Sequence, residues 1–180
     1  MKGRITFRGS AGVFLLLLLL VCACDETPRE AFEMRSGAFG EKEVMPKAFT
    51  CGAGISPPLT FSKIPDDVKS LVVLLEDPER ISGNYTHWMV WGLPPKVVLP
   101  SDIDTYPVDG AIMGTADDGK TVGYLAPCPP EGEVHEVVFR ALGLDEMLSL
   151  EEGADRAQLD AALEGHVIAE ARLNAKAVGL

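Results

Sequence analysis

The chain has 180 residues, with 16 basic and 27 acidic side chains, a net charge of −11 and 47% hydrophobic residues. That length suits one domain. The charge repels nucleic acid and anionic headgroups, so any anion must be taken in a local pocket and not by a general positive field.

Lys2, Arg4 and Arg8 precede an apolar run from Ala11 to Val21, shorter than the ~20 residues of a membrane-spanning helix. Residues 1–23 therefore read as a signal segment outside the fold. They carry three cations and no acid, so their removal takes the net charge from −11 to −14. Val21-Cys22-Ala23-Cys24 ends the signal in the manner of a bacterial lipobox, with small Ala23 before Cys24. Cys24 is the expected lipidation site, and several acyl chains would anchor it firmly. Cys22 follows the less suitable Val21, and an ordinary secretory signal is the alternative. Asp25 follows Cys24 and, in enterobacterial lipoproteins, favours retention in the inner membrane. The expected location is thus the bacterial cell envelope, lipid-anchored at the periplasmic face of the inner membrane.

Residues 24–40 are polar and read as a tether, leaving 41–180 as the domain. Ser70 to Glu76 is a compact aliphatic run bounded by acids and Asp77-Pro78, the pattern of a strand buried on both faces. His87 to Leu93 is a second strand, ended by Pro94-Pro95, and Val134 to Leu144 a third. Residues 103–122 read as turns with short strands between them. Gly153-Ala154-Asp155 starts one short C-terminal helix with an apolar face of Ala157, Leu159, Ala161, Ala162 and Leu163, ended by Gly165. His166 to Leu173 alternates as a terminal strand would. The expected fold is mainly β, an antiparallel β-sandwich with that helix and few others.

Cys51 and Cys128 form an even pair beyond the signal. Export permits a disulfide between them, the alternative being two buried thiols. Asp77 ends a buried strand, and Pro78 keeps it out of the α region, so its carboxylate either starts a turn or is aimed across the strand ends. His87 and His135 open two other strands, each as a structural residue or a ligand-binding one. Pro127-Cys128-Pro129-Pro130 is a stiff loop, either a crossover or a pre-shaped wall. No Gly-x-Ser-x-Gly, P-loop or zinc spacing is present in the sequence. A metal held by Asp77, His87 and His135 is disfavoured, because Asp77 can equally orient an imidazole. No cofactor, metal or catalytic residue is assigned.

Taken in order, Phe49-Thr50-Cys51-Gly52, Ile55-Ser56-Pro57-Pro58, Leu74-Leu75-Glu76-Asp77-Pro78, Thr86-His87-Trp88, the loop from Gly123 to Pro130 and Gly132-Glu133-Val134-His135 resemble the phosphatidylethanolamine-binding protein family. The likeness is to its bacterial Raf-kinase-inhibitor-like branch and covers about residues 47–180. It implies a shallow anion pocket at one end of the sandwich, lined by Asp77, His87 and His135, with Pro129 and Pro130 in its wall. It also implies Glu79 as a second acid and Tyr124 at the rim. Three positions depart from the family pattern: Ile81 replaces its second proline, Ala126 a glycine, and Glu136 an arginine. The expected function is a membrane-tethered module binding a small anion or phosphoryl headgroup. The alternatives are a protein-interaction module that inhibits a peptidase or kinase, working through a protein partner, and a hydrolase using Cys128 with His135.

Overall fold

A computed structural model describes residues 30–80 and 83–180. The proposed signal, Cys24 and Ile81 lie outside the described residues. Nine strands and one α-helix follow in order: β1 Glu30–Ala31, β2 Glu33–Ser36, β3 Leu59–Ser62, β4 Ser70–Asp77, β5 Tyr85–Leu93, β6 Val98–Leu99, β7 Ile112–Met113, β8 Val134–Leu144, α1 Arg156–Leu163 and β9 Val167–Val178. A six-stranded sheet runs β1-β9-β8-β4-β5-β7, and a three-stranded sheet runs β2-β3-β6. Pairing is antiparallel throughout, except that β1 lies parallel to β9. The expected mainly β sandwich is the observed one.

The large sheet is covered on both faces, which is why β4 and β5 read as unbroken apolar runs rather than alternating ones. All eight residues of β4 are buried. Leu71, Val73 and Leu75 meet Trp88, Val90 and Phe139 in the core facing the small sheet. Val72 and Leu74 meet Met89, Trp91, Leu159 and Leu163 in a second core beneath α1. Each such side chain contributes on the order of 1.5–3 kcal/mol by leaving water.

Asp155 caps α1 by accepting from the backbone of Gln158, whose side chain accepts from the backbone N–H of Asp155 in return. This capping box fixes the helix start. The helix carries Arg156 onto the sheet, where its Nη1 donates to Glu76 Oε1 at 2.5 Å and to Thr86 Oγ1 at 3.1 Å. Asn84 and Arg140 complete the shell around Glu76, whose carboxyl is held below its ordinary range by these partners against the opposing effect of burial.

The lead-in corrects the expected boundary at residue 41. Residues 30–36 already pair into both sheets, and Phe32, Met34 and Phe39 are core residues. Three apolar side chains spaced along a polar segment are enough to seat it, so the fold already includes the chain from Glu30 onward.

Candidate functional site

The ends of β4, β5 and β8 meet at one end of the large sheet. Their register brings Asp77, His87 and His135 together. Asp77, 2% exposed, directs Oδ2 at His135 Nδ1 at 2.6 Å, while its Oδ1 accepts from the Glu79 backbone at 2.9 Å. The Asp77–Pro78 turn therefore holds the carboxylate by its own following amide. Hydrogen bonding to Asp77 raises the His135 pKa above its usual value, against partial desolvation. Across the ring, His135 Nε2 meets Glu133 Oε2 at 3.3 Å.

His87 is presented by a bulge. Leu75 pairs with Trp88, but Glu76 pairs with Thr86, leaving His87 as the extra residue of β5. Such an insertion re-aims a side chain. His87 Nδ1 lies 3.0 Å from the Leu125 carbonyl, and Leu125 N donates back to the His87 carbonyl at 3.0 Å. A carbonyl only accepts, so Nδ1 carries the proton. Burial pushes the His87 pKa down to about 4, outweighing both the Leu125 bond and Asp77. At neutral pH this ring is uncharged, and the 4.0 Å approach of Nε2 to Asp77 Oδ2 is not an ion pair. Nε2 is then a bare lone pair, buried and without a hydrogen-bond partner.

Cys51 and Cys128 are joined in a disulfide, as expected from the sequence. It ties the turn after residues 47–49 to the proline-rich loop and leaves Cys128 no thiol to act as a nucleophile. Pro129 is buried in that loop and Pro130 is exposed. The loop also rests on Gly179: a Cβ there would lie 1.9 Å from the Pro130 carbonyl oxygen, so only glycine lets the chain pass so close.

Tyr124 does not stand on the rim. It is 5% exposed, its hydroxyl donates to the Phe49 carbonyl at 2.7 Å, and its ring packs edge-on to Trp88. Position next to a loop did not reveal which way the strand-like segment faces. The aromatic beside the histidine is Tyr85, whose ring centroid is 4.9 Å from that of His87. Arg80 lies over the other part of this stack, its Cζ 4.5 Å from the Tyr85 centroid. Glu79 is exposed, and its Oε2 accepts from the Glu136 backbone at 2.6 Å. It ties the β4 turn to β8. Tyr85, Arg80, Glu133, Leu125 and Gly179 carried no separate sequence signal; only the alternation of β5 beside His87 could have singled out Tyr85.

Fold and site together define a β-sandwich binding protein with a histidine–carboxylate cluster at one end of the large sheet. The sequence pattern of the phosphatidylethanolamine-binding protein family matches residues 35–178, and the chain belongs to that family. It is 39% identical over 166 residues to the UPF0098 protein PH1269 of Pyrococcus horikoshii, covering 87% of this chain and 82% of that one. It is 41% identical over 148 residues to a UPF0098 protein of Chlamydia trachomatis, covering 78% of this chain and 95% of the relative. Among solved structures, the phosphatidylethanolamine-binding protein homolog CT736 of Chlamydia trachomatis matches with a TM-score of 0.74 and 40% identity, over 82% of this chain and 97% of that one. YbcL of E. coli, a member of the mammalian PEBP family, matches with a TM-score of 0.75 and 25% identity, over 82% and 98%.

Proposed function

We propose that this chain is a binding module, tethered to the bacterial envelope through an acylated Cys24, whose pocket takes a small phosphoryl anion at Asp77, His87 and His135. The observation that carries this reading is the buried, unpartnered Nε2 of His87 beside the Asp77–His135 pair. A buried polar atom without a partner costs roughly 1–3 kcal/mol, which a ligand recovers by bonding it. His135 supplies a donor and positive charge, and neutral His87 supplies an acceptor. A phosphoryl group that keeps one O–H answers both: its oxygens accept from His135 Nε2, and its hydroxyl donates to His87 Nε2.

Glu133 occupies the His135 donor, so the anion enters by displacing an exposed side chain. Calorimetric titration with inorganic phosphate tests this. Binding at pH 6 that is lost in His135→Ala supports the reading, and equal affinity at pH 6 and pH 9 would refute it. Mass spectrometry of the membrane-extracted protein tests the anchor: a diacylglyceryl group on Cys24 is expected, and an unmodified Cys24 removes the tether.

A further inference from the structure

We propose that Arg80 is the cation that grips the phosphoryl group in this pocket, an inference that rests on the anion-binding reading above. Arg80 sits on the turn after β4, with Cζ 4.5 Å above the Tyr85 ring, and that ring lies 4.9 Å from His87. The order Arg80–Tyr85–His87 sets the guanidinium one aromatic ring away from the histidine that carries the unpartnered Nε2. A guanidinium held against an aromatic face keeps its N–H groups directed outward in its own plane, the geometry that meets two oxygens of one phosphoryl group.

Arg80 makes no ion pair with a carboxylate among the described residues, and its Nε is buried without a partner. That is unusual in so acidic a chain, and the neighbouring acids explain it, because each is already engaged. Asp77 accepts from Glu79 N and His135 Nδ1. Glu79 accepts from Glu136 N. Asp117 accepts from Thr86 N, and both oxygens of Asp118 are held by Lys120 and Thr121. The charge of Arg80 is close enough to act on His87, where it helps keep the ring neutral. Arg80 is partly exposed, so an incoming anion can reach it.

The test is calorimetry on the full chain in detergent at pH 6, with inorganic phosphate and, separately, with glycerophosphoethanolamine. The proteins are wild type, Arg80→Gln, Arg80→Lys and His135→Ala. Arg80→Gln should weaken phosphate binding about tenfold to a hundredfold, with Arg80→Lys between it and wild type. A urea-unfolding midpoint for Arg80→Gln equal to wild type keeps the loss of binding from being a folding defect, and a phosphate loss matched by an equal loss in Arg80→Lys with a lowered midpoint would overturn the role. A loss confined to free phosphate identifies that source; a loss for both phosphoryl ligands extends the grip to the headgroup. Unchanged phosphate affinity in Arg80→Gln, with binding abolished in His135→Ala, overturns Arg80 alone. No phosphate binding by wild type overturns the anion pocket and Arg80 with it.

Discussion

Asp77 and His135 share a 2.6 Å hydrogen bond between a carboxylate that is 2% exposed and an imidazole at the edge of solvent. The bond sets the two histidines of the cluster apart. His135 is held towards its charged form, while His87, deeper and bonded to a carbonyl, is held neutral.

Asp77→Asn should return the His135 pKa towards the usual ~6.5 for histidine. Proton NMR titration of the His135 ring measures it. The folded pKa of His135 is raised, so its protonated form, and the donor it gives the anion, persist somewhat above pH 6.5 in wild type. Phosphate affinity in Asp77→Asn should therefore fall most, by roughly tenfold, just above pH 6.5, with the deficit narrowing below it. A His135 titration curve identical to wild type would refute the assignment.

His87 makes the opposite contribution to stability. Its folded pKa of about 4 lies below its ordinary 6.5, so the stabilisation is complete above pH 6.5 and is lost as pH falls towards 4. The lost contribution is on the order of 3 kcal/mol. Urea unfolding at pH 7 and pH 4.5 should show a midpoint drop in wild type that is much smaller in His87→Gln.

Glu133 lies against His135 Nε2, so in the proposed site it would compete with an incoming anion. Glu133→Gln removes a charge while leaving a polar side chain of the same length. Phosphate affinity at pH 6 should rise about threefold to tenfold, since an exposed ion pair is worth on the order of 1 kcal/mol. A weaker-binding Glu133→Gln would mean that Glu133 serves the ligand instead of obstructing it.

The Cys51–Cys128 disulfide closes a loop with a sequence separation of 77. The double variant Cys51→Ser/Cys128→Ser should lose about 2–4 kcal/mol in urea unfolding, most of it by freeing the unfolded chain. Phosphate affinity should fall as well, because the wall carrying Pro129 loses its covalent attachment. The bonds between Leu125 and His87 and the close approach at Gly179 are independent of redox state.

The long strands were readable because β4, β5 and β8 are buried strongly enough to leave continuous apolar runs. The helix announced itself through Asp155 and the glycines at 153 and 165. The short strands of the second sheet left no comparable trace: β2 and β3 are four residues each and alternate weakly. Only Phe32, Met34 and Phe39 mark the lead-in as structure, which is why residues 30–40 read as tether. In the site, Asp77, His87 and His135 were recoverable from motif order. The neutrality of His87 was not, since it depends on a bulge and on the Leu125 carbonyl 38 positions away. Tyr124 is buried where the rim was expected, and Tyr85 stands beside His87 without a sequence signal, for the same kind of reason: the facing of each ring is set by what lies behind it.

The parallel pairing of β1 with β9 fixes the first described residue, Glu30, to the edge of the large sheet. Only the five residues from Asp25 to Arg29 would then separate a lipid-modified Cys24 from that edge. Fully extended, the span from Cys24 to Glu30 would reach ~20 Å. A leash that short would confine the domain to a thin layer over the bilayer, within about its own width. The pocket would sample phosphoryl groups at the membrane surface and those diffusing just above it, and it would never reach the opposite side of the periplasm.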